Sequence, residues 1–248
     1  MNLSVGLITH NEEKKLTRTL KAIKDIAGEI VIVDSGSSDK TVEIARSFGA
    51  NVFVEPWKGF GMQKNSVIDK CRGKWILLID ADEEVTPELK EHIRIITDSQ
   101  TPQHEVYKIQ FRSVCFGKEI KHGGWSGFYR IRLFRNGAGR YDNRQVHESF
   151  VTSASIGIIQ KDIIHYTYEN LEEYFEKFNS YTSKMAMQYR EKAKKKSVVS
   201  IYLGAKFNFF KSYILQLGFL DGYEGYLLSK AGAMYMLVKY SKLRELNK

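Results

Sequence analysis

The sequence predicts an α/β protein in which a mostly parallel sheet is flanked by helices and followed by a helical C-terminal extension. Short runs rich in Val, Ile and Leu alternate with amphipathic helical patterns over the first 100 residues. The polar clusters THNEE, DSGSSD and DADEE follow three of these runs, where strands would end. Ligands of parallel sheets bind outside the carboxyl ends of the strands, so these clusters predict where the site lies.

Four continuous apolar segments are the predicted strands of this sheet, as expected where helices cover both faces. They are LSVGLI (3–8), EIVIV (29–33), NVFV (51–54) and WILLI (75–79). One helix is expected after the first strand, capped by Asn11, and another after the second strand, capped by Ser38 or Asp39. The resulting order is βαβαβαβ, which requires crossover connections and therefore a parallel sheet.

The second half of the sequence has a different pattern. VYKIQFR (106–112) and YRIRLF (129–134) alternate apolar and polar residues, which predicts strands with one wetter face. The glycine-rich stretch KHGGWSGF (121–128) joins them and is expected to form a lid. Residues 201–240 are strongly apolar and aromatic, with lysines among them. This mixture is typical of interfacial helices on an anionic membrane, and a helical pack or a dimer seam is the alternative.

Composition and charge limit the classes of partner that the protein can have. The 248 residues are 43% hydrophobic and carry a formal net charge of +9. Of this charge, +6 lies in residues 161–248, where 15 Lys and Arg stand against 9 Asp and Glu. A positive protein favours an anionic partner, which can be nucleic acid, a phosphorylated small molecule or an acidic membrane surface.

The cysteines and the first residues indicate the compartment. Cys71 and Cys115 lack the spacing of a zinc site, so buried reduced thiols in a cytoplasmic protein are expected. The stretch MNLSVGLITHNEEKK (1–15) is interrupted too soon by charge to be a signal peptide. No uncharged apolar run approaches the ~20 residues that a spanning helix needs.

Four carboxylates fall within five positions at the end of the fourth predicted strand: Asp80, Asp82, Glu83 and Glu84. Like charges this close repel unless they are solvated, lie at a helix N-terminus or are neutralised by a cation. Thr86-Pro87-Glu88 predicts a helix start, so Glu83 and Glu84 need no functional role. Asp80 and Asp82 lie at the strand end, where carboxylate oxygens can hold Mg²⁺ or Mn²⁺. Ordinary turn residues are the alternative.

Together these motifs resemble family 2 of the inverting nucleotide-sugar glycosyltransferases, whose members have a GT-A fold. The resemblance begins with VGLITHNEE (5–13), VDSGSSDKT (33–41) and LLIDADEE (77–84). It continues through GFGMQKN (59–65), GGW (123–125), RIRLFRNGAGRYD (130–142), VHE (146–148) and HYTYENLEEYFEKFNSY (165–181). The whole pattern resembles the branch that adds sugars to lipopolysaccharide core, often a β-glucose onto heptose. It implies hexose transfer to a saccharide of that core or of a related cell-envelope glycan.

The resemblance also implies a donor site. The residues that it assigns to the nucleotide sugar are Thr9, Asn11, Glu12, Asp34, Gln63, Lys64, Asp80 and Ala81. Asp34 would accept a hydrogen bond from uracil N3, Asp80 would approach the ribose, and Asp82 would bind the Mg²⁺ or Mn²⁺ on the diphosphate. Many family members have a second acid where this chain has Ser35. The role of Asp34 implies a UDP-linked donor, and the departure at Ser35 leaves other nucleotide sugars open.

On the acceptor side, the resemblance places the catalytic base of an inverting reaction at Glu148, with Asp142 as the nearest rival. His147 is a weaker candidate for a metal ligand, and His165 is either a metal ligand or a packed side chain. Three further side chains are candidate contacts to the acceptor or to phosphates: Trp125, Arg130 and Arg132. The alternatives are a core position for Trp125 and, for the arginines, the solvated face of an edge strand.

The implied organisation is a catalytic domain and a helical extension. Residues 1–168 would form the GT-A domain, with a nucleotide-binding half at 1–100 and an acceptor-side half at 101–168. Residues 169–248 would form the extension, which associates with a membrane or dimerises. The expected location is cytoplasmic, peripheral on the inner face of the cytoplasmic membrane, with a lipid-linked saccharide as the acceptor and a homo-oligomer left open.

Two other classes of protein fit parts of the pattern. A nucleotidyltransferase acting on sugar phosphates would also use a parallel sheet and paired aspartates, but THNEEKK (9–15) is not the glycine-rich phosphate loop that it usually has. A nucleic-acid-binding protein would explain the positive charge and the aromatic residues. No RRM, KH or zinc-finger pattern is present, so a nucleic-acid partner is not expected.

Overall fold

The computed structural model describes residues 2–143 and 148–247. Its first four strands are the four predicted apolar segments: β1 (Leu3–Thr9), β2 (Glu29–Asp34), β3 (Asn51–Val54) and β4 (Trp75–Leu78). They pair in parallel in the order β3-β2-β1-β4. The predicted α/β class is confirmed, and the carboxyl ends of these strands carry the three polar clusters, as expected for a parallel sheet.

Four helices connect and follow these strands: α1 (Leu16–Ile23), α2 (Thr41–Ser47), α3 (Phe60–Lys70) and α4 (Pro87–Asp98). The predicted cap of α4 is confirmed, because the Thr86 hydroxyl accepts a hydrogen bond from the Leu89 amide at 3.3 Å. The predicted cap of α1 is wrong: the helix begins at Leu16 with Lys15 as its cap. Lys40 is the cap of α2, although the Asp39 carboxylate accepts from the amide of its first residue.

The remaining strands extend the sheet in the antiparallel sense. They are β5 (Glu83–Val85), β6 (Val106–Cys115), β7 (Lys118–Ile120), β8 (Tyr129–Arg135) and β11 (Ile156–Tyr168). The full order is β3-β2-β1-β4-β8-β6-β11-β5, with β7 paired to β6. A separate hairpin consists of β9 (Arg140–Tyr141) and β10 (Phe150–Val151). Strand β8 therefore lies between β4 and β6, inside the sheet.

The chain divides into two compact units, and the first contains most of this sheet, without β7. It joins residues up to Phe111 with Tyr129–His165. Helix α3 packs closely on β1, because a Cβ added at Gly6 would lie 2.4 Å from a methyl group of Val67. Cys71 is buried in the same cluster as Val67. The close approach fixes the position of α3 on the sheet, and side chains of this helix form part of the site described below.

The second unit joins Arg112–Phe128 with the chain from Tyr166 onward. Its helices are α5 (Leu171–Glu191), α6 (Val198–Phe210) and α7 (Gly222–Leu246), with a π-helix at Lys211–Leu215 and a 3₁₀ turn at Gly218–Asp221. The predicted helical pattern from Asn170 is confirmed, and the Asn170 side chain caps α5. Cys115 is a buried free thiol, as predicted. Within the described ranges, none of the helices is long and apolar enough to cross a bilayer.

Candidate active site

The acidic cluster after β4 is held by a buried arginine. Asp80 follows the strand, and Glu83 begins β5 three residues later. Arg132, on the neighbouring strand β8, donates to the Asp80 carboxylate at 2.5 Å and also to the Glu83 carboxylate. The Asp80 amide donates to Glu83 at 3.0 Å. Because Arg132 is 3% exposed and Glu83 2% exposed, this pair of charges is almost entirely removed from water, whereas Asp80 is partly exposed.

Burial and the paired charges shift the pKa values in this cluster. Burial alone would raise the pKa of Asp80, but Arg132 and Lys64 hold it well below its usual range. Burial raises the pKa of Glu83 to about 7, although the charge of Arg132 acts in the opposite direction. Burial would lower the pKa of Arg132, and Asp80 and Glu83 raise it well above its ordinary value. Asp80 is therefore the ionised carboxylate of the pair.

Glu83 and Arg132 pair with each other. Glu83, for which the sequence required no functional role, lies in β5 before α4 and is a buried partner of Arg132. Arg132 was expected either to grip phosphates or to lie on a solvated edge strand. The structure corrects this expectation, because β8 is an interior strand and the guanidinium pairs with the carboxylates of Asp80 and Glu83. Arg130 on the same strand is exposed.

Lys64 connects the acidic cluster to the predicted base. Its ammonium donates to the Glu148 carboxylate at 2.8 Å and lies 3.8 Å from the Asp80 carboxylate. Burial would lower the pKa of Lys64, but the charges of Asp80, Tyr141 and Glu148 raise it above its ordinary value. Lys64 is thus a buried cation between two carboxylates that are 68 positions apart in the sequence. Glu148 therefore forms a salt bridge with Lys64.

Helix α3 also holds the backbone next to Glu148. The Asn65 side chain donates to the Tyr141 carbonyl and accepts from the Tyr141 amide, both at 2.9 Å. A Cβ added at Gly61 would lie 2.2 Å from the Asp142 carbonyl oxygen, so only glycine fits there. The Asp142 carboxylate accepts from the Ser149 amide at 3.1 Å. The GFGMQKN motif therefore fixes the hairpin of β9 and β10 from one side.

Asp34 lies at the end of β2 and is completely buried. One carboxylate oxygen accepts from the amides of Gly36 and Ser37 at 3.0 and 2.7 Å. The other accepts from the hydroxyls of Thr9 and Ser37 at 2.8 and 2.6 Å. Gly36 has a φ of 85°, which suits the glycine that the loop has at this turn. Asp34 therefore organises the DSGSSD loop and joins it to the end of β1.

The loop after β1 is bonded to the loop after β2 by further contacts. Asn11, with a φ of 55°, accepts from the Ser38 amide at 2.9 Å instead of capping α1. The Glu12 amide donates to the Thr41 hydroxyl at 2.7 Å. The predicted convergence of these two clusters is thus present in the first unit. Gln63 of α3 joins the DSGSSD loop too, through a hydrogen bond of 3.2 Å to the Ser35 hydroxyl.

A metal position is expected at Asp82, and the structure places one histidine beside it. The Nε2 atom of His165 lies 3.5 Å from a carboxylate oxygen of Asp82. Burial alone would lower the pKa of His165, but Asp82 raises it above its ordinary value. Among the described residues, no group of three or more His, Cys, Asp or Glu side chains could hold a metal ion. His147, the other predicted ligand, lies outside the described residues.

These two side chains fit an ion of the Mg²⁺ or Mn²⁺ type that completes its coordination on a substrate. Such ions often take one or two carboxylates and bind substrate phosphates for the rest. A carboxylate with one imidazole suits Mn²⁺ at least as well as Mg²⁺. His165 also packs edge to face against Phe111 with ring centroids 6.3 Å apart, as expected for a packed side chain, and its role as a metal ligand stays a prediction.

The other predicted site residues are placed as follows. The Ala81 carbonyl accepts from the Thr19 hydroxyl of α1 at 2.7 Å, so this carbonyl faces the helix. Trp125 belongs to the second unit, where it is half-buried with its ring centroid 6.1 Å from that of Tyr168. Sequence patterns did not indicate the roles of Asn65 and Glu83. The available indication for Asn65 was its place in the GFGMQKN stretch that carries the resemblance.

The profile of the family described as "Glycosyl transferase family 2" matches residues 4–195, more than half of the chain. The chain therefore belongs to this family of glycosyltransferases. A glycosyltransferase of Rickettsia bellii is 31% identical over 99% of this chain and 87% of its own length. The lipopolysaccharide core biosynthesis glycosyltransferase LpsC of Rhizobium meliloti is 27% identical over 97% and 91%.

One solved structure shows the same fold. Residues 1–349 of S. aureus TarS, in complex with UDP, are similar with a TM-score of 0.50 and 16% identity. The likeness covers 100% of this chain and 91% of the TarS chain. It supports the predicted GT-A architecture at the level of the fold.

Proposed function

We propose that the chain transfers a hexose, with inversion, from a UDP-linked donor to a saccharide of lipopolysaccharide core or of a related cell-envelope glycan. The observation that carries the proposal is the joining of Asp80, Lys64 and Glu148 beside the ends of the parallel strands. One ionised carboxylate, one buried cation and one further carboxylate are the groups that a reaction with a diphosphate leaving group needs. The similarity to LpsC supports the choice of acceptor, and the UDP complex of TarS makes UDP the first nucleotide to test.

On the donor side, we assign the nucleobase to the loop that Asp34 organises. The four protein donors already occupy both carboxylate oxygens of Asp34. A hydrogen bond from uracil N3 therefore requires one hydroxyl donor, such as that of Ser37, to rotate away. The Ser35 hydroxyl and the Gln63 amide lie beside this loop and are further candidate contacts to the base. Thr9, Asn11 and Glu12 complete the proposed nucleotide pocket.

Asp82 and His165 would hold the divalent cation. A bound cation of this kind stabilises the negative charge that grows on the departing diphosphate. Lys64 is a second positive group for the same charge, since its ammonium lies next to Asp80. Asp80 itself is held by Arg132, so its carboxylate has a fixed direction for a contact to the ribose.

Glu148 is the proposed general base. As the acceptor oxygen bonds to the anomeric carbon, its proton passes to the Glu148 carboxylate, and the electron pair of the breaking glycosidic bond leaves with the diphosphate. Attack from the side opposite to the leaving group inverts the anomeric centre. Trp125 and Arg130 are proposed contacts to the acceptor. A lipid-linked acceptor would bring the enzyme to the inner face of the cytoplasmic membrane as a peripheral protein.

A panel of nucleotide sugars tests this function. We expect UDP-hexoses, in the presence of Mn²⁺ or Mg²⁺, to raise the melting temperature and to be hydrolysed slowly without acceptor. Chelation should remove both effects. Asp82→Asn should lose metal-dependent turnover by at least the ~10–100-fold typical of a disturbed metal site, with the fold intact. Glu88→Gln, an exposed acid on α4, is the matched control. A chain that neither binds nor hydrolyses any nucleotide sugar would contradict the proposal.

A further inference from the structure

Helix α6 is apolar on two opposite faces. Ile201 is buried on one face in a cluster with Tyr240 and Leu243 of α7. On the other face, Val199 is 66% exposed, Leu203 58%, Phe207 61% and Phe210 48%. A helix that is apolar all round is normally covered all round. Within the part of the chain that the structure describes, the outer face of α6 is left open to water.

The apolar surface continues beyond α6. Five further large side chains are exposed in the π-helix, the 3₁₀ turn and the link between them: Ile214, Leu215, Leu217, Phe219 and Leu220. Leu217 has a left-handed backbone with a φ of 57°, which is strained for a leucine. π-helices are rare and occur often at functional sites. The π-helix and the left-handed Leu217 thus lie in the same segment as these exposed apolar side chains.

The charge of this segment indicates what covers it. Residues 192–220 contain six lysines and neither Asp nor Glu. Lys206 lies among the exposed apolar residues of α6, and the run KAKKK (192–196) immediately precedes the helix. A second copy docked through the same face would bring two positive segments together, which is unfavourable for a two-fold contact. A surface of anionic headgroups over an apolar layer complements both the lysines and the apolar side chains.

We propose that α6, the π-helix and the 3₁₀ turn form a docking surface for an anionic phospholipid bilayer. The exposed face of α6 enters the boundary between headgroups and acyl chains, with the helix parallel to the membrane. The lysines contact the lipid phosphates. This surface explains why the helix keeps apolar residues on both faces and why the surrounding charge has one sign.

The same segment holds the glycine-rich loop of the second unit. The Ser212 hydroxyl donates to the Gly123 carbonyl at 3.1 Å, and the Gly123 amide donates to the Gln216 carbonyl at 2.9 Å. The Asp221 carboxylate accepts from the His122 amide at 2.8 Å. Docking would therefore bring the loop that carries Trp125 to the membrane, where a lipid-linked saccharide lies. This last step rests on the proposed function, whereas the docking surface does not.

Vesicle flotation of the full chain tests the surface. We expect binding to phosphatidylcholine vesicles with about 30% phosphatidylglycerol at low salt, weaker binding at high salt and little binding to pure phosphatidylcholine. The double variant Phe207→Ser, Phe210→Ser should bind at least about tenfold more weakly. Ile95→Ser is the matched control, because Ile95 is 62% exposed on α4, and it should bind like the wild type. The triple variant Lys194→Gln, Lys195→Gln, Lys196→Gln should lose most of the salt dependence.

Three results would overturn the proposal. These are the absence of vesicle binding at low salt, equal binding by the double variant, and equal binding to neutral and anionic vesicles. A wild-type dimer that the double variant breaks, seen by analytical ultracentrifugation, would assign the surface to a second copy instead. Hydrolysis of nucleotide sugar in solution separates the two proposals, since the double variant should retain it. Vesicle binding without any nucleotide-sugar turnover would leave the docking surface and remove the proposed function.

Discussion

The acidic cluster beside β4 and the outer face of α6 both contain side chains in an energetically unfavourable environment. In the cluster, charges are buried, and the chain supplies their partners: Arg132 contacts Asp80 and Glu83, and Lys64 contacts Glu148. On α6, apolar side chains are exposed, and the described residues leave them uncovered. A buried charge that the chain itself pairs needs no further partner. An apolar face that the chain leaves exposed indicates a partner outside it.

The first prediction tests whether the paired charges of the acidic cluster and Glu148 take part in the reaction. Glu148→Gln should lose about 10²–10⁴ in transferase turnover, because a general base contributes that much. Donor affinity should remain near the wild-type value, since the proposed donor contacts are at other residues. The measurement combines turnover, donor affinity and melting temperature on one preparation.

Asp142→Asn is the comparison variant for this prediction. The Asp142 carboxylate accepts from the Ser149 amide, so this change should disturb the hairpin more than the chemistry. Near wild-type turnover in Glu148→Gln, with a large loss in Asp142→Asn, would move the base to Asp142. A lower melting temperature of Glu148→Gln with unchanged turnover per folded molecule would reduce Glu148 to a salt-bridge partner of Lys64.

The second prediction concerns the structural cost of the buried charges. Arg132→Met should lower the free energy of unfolding by about 3–5 kcal/mol, because the buried Glu83 and the partly exposed Asp80 would lose their shared partner. Arg130→Met, at an exposed residue of the same strand, should change it by less than about 1 kcal/mol. Urea titrations followed by circular dichroism measure both variants.

Adding Glu83→Gln to Arg132→Met should recover part of the loss, because one of the two carboxyl groups left without Arg132 is then removed. The double variant would show no recovery if the loss came from packing of the long arginine side chain, whose guanidinium lies 5.5 Å from the centre of the Phe111 ring. An Arg132→Met protein as stable as the wild type would show that Arg132 does not stabilise the carboxyl groups of Asp80 and Glu83.

The fold could be predicted from the sequence where the local pattern of residues determines a strand or a helix start. Each of the four apolar runs became a parallel strand, and Thr86 with Pro87 gave the start of α4. Asn11 shows where this reasoning fails: a residue suited to capping α1 is used in a contact to Ser38, 27 positions away. A tertiary hydrogen bond overrode the local preference, and no pattern near Asn11 reveals that.

The sequence predicted which residues belong to the site, but not which of them form ion pairs with one another. The sequence indicated Asp80, Lys64 and Glu148 separately, by resemblance. Their pairing depends on strand order, since β8 is inserted beside β4 from a point 52 residues after Asp80 and brings Arg132 with it. For the same reason the burial of Glu83 could not be foreseen. Long-range order of strands is what a single sequence specifies least.

The third prediction separates the two roles of Asp34. Asp34→Ala should lower the free energy of unfolding by about 1–3 kcal/mol, because four donors lose their acceptor, and should weaken UDP binding with or without metal. Thr9→Val removes one of the four donors and should cost only about 0.5–1.5 kcal/mol. Calorimetric titration with UDP checks the affinity of both variants. Unchanged UDP affinity in Asp34→Ala would refute the contact to the base and leave Asp34 as a structural residue.

The smallest expected effect concerns α6 in the absence of membrane. Phe207→Ser should change the free energy of unfolding by no more than about 0.5 kcal/mol, as for an ordinary surface substitution, because the ring is 61% exposed. Ile201→Ala on the opposite face should cost about 2–5 kcal/mol, since it opens a cavity next to Tyr240 and Leu243. Thermal and urea unfolding at low protein concentration give both values without a contribution from association. A loss for Phe207→Ser as large as that for Ile201→Ala would mean that the chain itself covers this face, and the contrast between the two regions would then disappear.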